Sequence, residues 1–185
     1  IDLNSLEKVM SSIRDGNKTG TRVVSPVSLA GKISPLEDIY NLCQKYGFRV
    51  VEDASHSPGA FSTNTAGDKD FSGSCKWTDA ATVSFHPVKH ICCGEGGAIL
   101  TNSGNLSQRA GLLRSHGITR DTEHSKERPW YYEQIDLGWN FRLNDIQAAL
   151  GIEQLSRLGA SIQSRHILAQ RYDNAFSSNS FTGKL

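Results

Sequence analysis

The six residues Ser84-Phe85-His86-Pro87-Val88-Lys89 place a hydroxyl, an imidazole and an amine around one proline turn. An amine attacks as a nucleophile only when neutral, and partial burial beside cationic groups lowers a lysine pKa toward working pH. A lysine in a tight turn at a sheet edge could meet those conditions, although most loop lysines are simply solvated. Asp53 is the second candidate, since it closes the short run Val50-Val51-Glu52. Open α/β sheets bind ligands at the carboxyl ends of their strands, where this residue would stand. Taken alone, Glu52-Asp53 suits the end of a strand and the start of a turn equally well.

Other patterns point away from their familiar chemistries. Gly94-Glu95-Gly96-Gly97 is too short for a P-loop and lacks the Gly-Lys-Ser/Thr ending, so it reads as a tight strand connection. His56, His86, His90 and His116 show neither H-E-x-x-H nor Cys/His ligand spacing, and no metal is expected. The cysteines Cys43, Cys75, Cys92 and Cys93 form no C-x-x-C pair, and the adjacent two could bridge only through a strained vicinal disulfide. Read as thiols, they suggest a reducing, cytoplasmic setting.

The chain has 185 residues with 20 Lys+Arg against 19 Asp+Glu, a formal charge of +1. Without a basic excess, no nucleic-acid partner is expected. Mean hydropathy is −0.41, and no apolar run approaches the roughly 18 residues that span a bilayer, so no membrane partner is expected either. The opening Ile1-Asp2-Leu3, with neither an initiator Met nor a basic-then-apolar leader, suggests an internal piece of a longer reading frame.

The elements that must position these residues follow from apolar spacing. Leu6, Val9, Met10 and Ile13 predict a helix stopped by Asp15-Gly16-Asn17. Arg22 to Leu29 predicts a strand; Ser34-Pro35-Leu36-Glu37 predicts a capping box opening a helix that ends at Gly47; Phe48 to Val51 predicts a buried strand. This strand, helix, strand order is the βαβ unit of a parallel sheet. Ala80 to Phe85 and Gly97 to Thr101 add two strands, and residues 105–115 a helix. Thr119 to Gln134, with Pro129 and Trp130-Tyr131-Tyr132, reads as a long loop. Asn144 opens a helix with Ile146, Leu150 and Leu155 facing inward, and another helix runs from about Ser161 to Phe176.

Glu52-Asp53-Ala54-Ser55-His56, Ser84 to Lys89, Gly94 to Gly97, Arg114-Ser115-His116-Gly117 and Gly138-Trp139-Asn140-Phe141-Arg142-Leu143-Asn144-Asp145 together resemble the motifs of one family. They are similar, block by block and in order, to the DegT/StrS nucleotide-sugar aminotransferases, which are fold-type-I enzymes dependent on pyridoxal 5′-phosphate (PLP). The resemblance runs from about Ile1 to the last helix. It implies an α/β, three-layer α/β/α large domain of the aspartate aminotransferase type, with a mostly parallel sheet truncated at both ends. Residues 1–160 would be the central part of the PLP-binding domain, and residues 161–185 a helix leading towards a small C-terminal domain. Pro129 to Gln134 and Ser74-Cys75-Lys76 look most like the branch that serves pseudaminic acid synthesis, acting on a UDP-linked 4-keto-6-deoxy-N-acetylhexosamine.

The resemblance also implies roles. Lys89 matches the lysine that joins PLP covalently and then moves protons. Asp53 matches the carboxylate that pairs with the pyridine nitrogen, His56 the group near the 3′-oxygen, and Ser84 the hydroxyl on the cofactor phosphate. Asn140 matches an asparagine that reaches the neighbouring subunit's phosphate, implying a homodimer with a shared site. Arg142 is expected to bind substrate or to order its own loop, His86 to bind substrate, and the amino-acid donor is expected to be glutamate. Cys92-Cys93 depart from the pattern, standing where the family usually has two hydroxyl residues with stronger hydrogen-bonding capacity. The family's phosphate-holding Gly/Ser/Thr loop is also expected to lie outside this chain. Two rivals remain: a PLP sugar dehydratase, disfavoured because those enzymes typically carry histidine where this chain has Lys89, and a non-catalytic binding or regulatory module on the same scaffold.

Overall fold

The first helix, α1 (Leu3–Asp15), starts where Asp2 accepts a hydrogen bond from the Ser5 amide at 2.7 Å. In the computed structural model, which describes residues 1–16, 20–64, 67–120 and 122–178, Met10 of α1 is buried with Ile39 and Cys43 of α2 (Leu36–Tyr46). Val24 of strand β1 (Val23–Val24) and Val50 of β2 (Arg49–Asp53) complete this cluster together with Phe48. Burying a side chain such as Ile39 or Val50 stabilises the fold by about 1.5–3 kcal/mol, so these contacts fix α1 and α2 against β1 and β2. The helix stops at Asp15 with Gly16 as its C-cap, as expected, while Asn17 lies outside the described residues.

Two local expectations change. The strand expected over Arg22 to Leu29 is confined to Val23–Val24, because Pro26 has no amide to continue a ladder; a short 3-10 turn, Leu29–Gly31, follows. The capping box at Ser34 does not form. Pro35 takes the cap position, and the Ser34 hydroxyl donates instead to the Val27 carbonyl at 3.2 Å. The helix does end at Gly47, in the left-handed region that glycine enters without strain.

Beyond β2 come a small antiparallel hairpin, β3 (Phe61–Thr63) with β4 (Lys69–Phe71), and then strands β5 (Ala80–Ser84) and β6 (Gly97–Leu100). The main sheet runs β1-β2-β5-β6, parallel across the first two pairings and antiparallel at the last. The fold is therefore α/β with a mostly parallel sheet, as expected. Register pairs Asp53 with Thr82 and Ser84 with Gly97, which brings the carboxyl ends of β2 and β5 to one edge of the sheet.

The second half holds two corrections. Helix α3 (Gly104–Arg114) is as expected, but the supposed loop contains β7 (Ile118–Thr119), helix α4 (Glu123–Glu127) and β8 (Glu133–Gln134). Strands β7 and β8 pair antiparallel and close that segment on itself. Helix α5 (Asp145–Ser156) is capped by Asn144, whose side chain accepts from the Gln147 amide at 2.9 Å. Its residues Ile146, Leu150 and Leu155 do not face inward, being 84%, 44% and 56% exposed. The spacing marks an apolar face but says nothing about what covers it. Helix α6 (Leu158–Ser178) begins earlier than expected and rests on Gly59, where any Cβ would collide with Ile162.

Candidate active site

Asp53 is held on both sides by backbone. Its amide donates to the Pro26 carbonyl at 2.9 Å, its carbonyl accepts from the Ser28 amide at 3.0 Å, and the next amide, of Ala54, donates to Thr82 at 2.9 Å. The β1 chain thus continues past Pro26 as a single bridge between Val27 and Asp53. The half-buried carboxylate accepts from the Ser55 amide at 3.0 Å. Hydrogen bonding from Ser55 holds its pKa below the ordinary carboxylate value, and the charges of His56 and Lys89 add to the effect. Asp53 is accordingly an anion at neutral pH.

Lys89 stands on the loop that joins β5 to β6. The loop's stem is tied by Phe85 donating to the Gly96 carbonyl at 2.9 Å and by Cys93 donating to the Phe85 carbonyl at 3.1 Å. Within it, the Lys89 amide donates to the His86 carbonyl at 2.9 Å, closing the proline turn. Ser84 ends β5, and its oxygen accepts from the His86 amide at 3.3 Å, which leaves the hydroxyl proton free to donate. His86 itself is exposed, and its Nδ1 accepts from the Val88 amide at 3.4 Å. Gly96 and Gly97 are required by close packing: a Cβ at Gly96 would lie 2.9 Å from Leu143 and 3.1 Å from the Cys93 sulfur, and one at Gly97 2.6 Å from the Val83 carbonyl. Cys93 is buried there and donates to the Glu95 carbonyl at 3.3 Å.

Asp53, His56, Ser84 and Lys89 therefore share one sheet edge. Asn140 and Arg142 form a separate group, and among the described residues no hydrogen bond joins them to that edge. Asn140 bridges Ser115, and its side-chain oxygen accepts from Arg142 Nε at 3.2 Å. Trp139 stacks on Phe141 at 5.5 Å. The His116 amide donates to the Trp139 carbonyl, and the Phe141 amide to the Arg114 carbonyl. Two blocks far apart in sequence, 114–117 and 138–141, are thereby paired. Gly117 and Gly138 permit this approach, since a side chain at either would strike backbone.

Two features escaped the sequence reading. The first is the buried carboxylate of Glu52, which lies in the same strand as Asp53 and is 1% exposed. The second is a cavity of about 510 Å³ beside the edge, lined by His56, His90, Arg165 and His166 and by no carboxylate. Burial lowers the His90 pKa, and the charges of Arg165, His56 and Lys89 push it further down. Among the described residues no cluster of His, Cys, Asp and Glu side chains able to hold a metal ion occurs.

Comparison with known proteins identifies the family. The pattern of the DegT/DnrJ/EryC1/StrS aminotransferase family matches residues 1–184. Two Campylobacter jejuni proteins named UDP-4-amino-4,6-dideoxy-N-acetyl-beta-L-altrosamine transaminase are similar to the chain. One is 37% identical over 85% of this chain and 39% of its own length; the other is 36% identical over 97% of this chain and 44% of its own. Among solved structures, the Helicobacter pylori aminotransferase PseC, involved in the biosynthesis of pseudaminic acid, superposes with a TM-score of 0.78 at 32% identity, over 97% of this chain and 43% of that one. The chain thus spans less than half the length of these relatives.

Proposed function

Because the chain belongs to the DegT/DnrJ/EryC1/StrS aminotransferase family, we propose that it carries the lysine and carboxylate of a PLP-dependent amino transfer from glutamate to a nucleotide sugar. The sugar proposed is a UDP-linked 4-keto-6-deoxy-N-acetylhexosamine, in line with the names of the similar transaminases. The observation that carries the reading is an ionised Asp53 at the carboxyl end of β2, close enough to feel the charge of Lys89 on the loop that leaves the neighbouring parallel strand β5.

The donor set fits PLP. Asp53 offers an anion for a protonated ring nitrogen, Lys89 an amine for the aldehyde, His56 an imidazole for the 3′-oxygen, and Ser84 a hydroxyl for the phosphate. When bound, PLP supplies an electron sink for the carbanion formed next to nitrogen. Asp53 keeps its charge through the Ser55 hydrogen bond and thereby favours the protonated ring nitrogen. Lys89 Nζ anchors the group and takes and returns the proton that moves during transfer. Arg142 and His86 are assigned to substrate binding, both being exposed and polar.

The proposed assembly is a homodimer in which Asn140 serves the partner's site. Exposed Phe141, Leu143, Ile146 and Leu150 lie next to Asn140 in sequence and supply apolar surface for such an interface. We assign residues 1–160 to the PLP-binding domain and the remainder to the connection with a second domain. Four free thiols suit the cytoplasm, and no helix among the described residues is long and apolar enough to cross a membrane.

The direct test is incubation of the complete protein with PLP, borohydride reduction and peptide mass spectrometry. A pyridoxyl group on Lys89 is the expected result. A folded protein that takes no label, or takes it on another lysine, overturns the assignment.

A further inference from the structure

We infer that Glu52 is the positioning residue of the cofactor edge, a buried clamp that fixes Asp53 and His56 from the opposite face of the sheet; this rests on the reading of Asp53 and His56 as cofactor ligands. Along β2 the side chains alternate, so Val50 and Glu52 enter the packed face while Asp53 turns to the other. A carboxylate in a row that also holds Val50 is costly to bury unless its oxygens are matched by donors. All the donors come from outside its own strand. The Ser28 hydroxyl reaches one oxygen at 2.9 Å and the Ser72 hydroxyl the same oxygen at 2.7 Å, while the Gly73 amide reaches the other at 2.9 Å.

The two serine donors lead back to the site. Ser28 is the residue whose amide binds the Asp53 carbonyl, so its hydroxyl and its backbone grip two consecutive residues of β2. Ser72 lies 2.6 Å from the Ser57 hydroxyl, and Ser57, itself 1% exposed, donates its amide to the Ala54 carbonyl. That turn carries His56. One carboxylate therefore holds the chain before Asp53 and the turn after it, and a satisfied buried polar network of this kind selects a single arrangement. Removing it frees both segments at once, although no atom of Glu52 need touch the cofactor.

The test compares Glu52→Ala, Glu52→Gln, Ser28→Ala and Ser72→Ala with the unaltered complete protein. The readouts are the PLP dissociation constant by fluorescence quenching, the pH dependence of the bound-cofactor absorbance band, and the melting temperature without cofactor. Glutamine keeps the shape, and the serine hydroxyls can turn to accept from its amide. Glu52→Gln is therefore expected within threefold of the unaltered protein, whereas Glu52→Ala should weaken PLP tenfold or more and shift the absorbance titration. Should Glu52→Ala not fold, the serine variants decide: each should melt lower, having lost a donor to a buried carboxylate, yet at temperatures where circular dichroism shows it folded it should weaken PLP at least threefold and shift the absorbance titration. Folded variants that bind PLP and titrate like the unaltered protein overturn the inference. Failure of the unaltered protein itself to bind PLP overturns instead the reading beneath it.

Discussion

Glu52 and Asp53, adjacent on β2, send their carboxylates to opposite faces of one strand, the first buried under three donors and the second half-buried and held by the Ser55 amide. Chemistry and scaffolding are thereby divided between neighbouring residues, and substitutions at the two should fail in different ways.

Replacing Lys89 with Ala should abolish amino transfer, a loss of at least about 10²–10⁴-fold for a group that moves the proton, while leaving the fold intact. Its amide bonds, not its side chain, close the turn. Steady-state turnover measured beside circular dichroism checks this, and substantial turnover by the variant would defeat the role given to Lys89.

For Asp53 the pH window follows from the direction of its shift. A folded-state pKa below the ordinary value of about 3.9 gives a stabilising contribution that is fully present above that value and lost as pH falls through the lower, folded one. Cofactor affinity should then owe no pH dependence to Asp53 between pH 5 and 8, and Asp53→Asn should weaken PLP across that whole range. An affinity that recovers for the variant at either end of the range would contradict this.

His90 predicts the opposite kind of experiment, one on stability near neutrality. Its folded pKa lies below the ordinary imidazole value of about 6.5 because of burial, with Arg165, His56 and Lys89 all facing it. The unfolded chain therefore binds the proton first, and stability should decline as pH drops below about 6.5. In His90→Gln the fall in melting temperature between pH 7 and pH 5 should be shallower; an identical slope would remove His90 from the account.

Ile146, the most exposed of the large apolar residues on α5, tests the proposed assembly. Ile146→Glu should shift the complete protein from dimer to monomer by light scattering, with activity falling alongside. A monomer of full activity would refute the shared site assigned to Asn140.

Much of the scaffold could be read from spacing because the signals were local. The Ile39 and Cys43 face of α2, its end at Gly47 and the apolar strands β2 and β5 each depend on neighbours within a turn or two. The failures share the reverse property. Strands β7 and β8 are two residues each and acquire meaning only by pairing across an intervening helix. Ser34 could accept from a helix amide as a cap or donate to a carbonyl, and the carbonyl seven residues away won. Glu52 looked like a strand terminus because its donors at Ser72 and Gly73 belong to a turn that no local pattern connects with it. On the candidate site, the places of Asp53 and Ser84 were legible from strand ends, whereas the cavity lined by His56, His90, Arg165 and His166 required α6 to fold back over Gly59.

The tied stem of the loop 85–96 has an evolutionary consequence. With Phe85 and Gly96 bonded to each other and β5 paired to β6, the segment bearing Lys89 is an insert whose ends are fixed independently of its length. Doubling such a loop adds only about 0.6 kcal/mol of closure entropy. Substitutions confined to the exposed His86-Pro87-Val88 stretch can therefore recompose the lysine's platform without disturbing the sheet, whereas Ile91 and Cys93, buried in the same loop, admit no comparable drift.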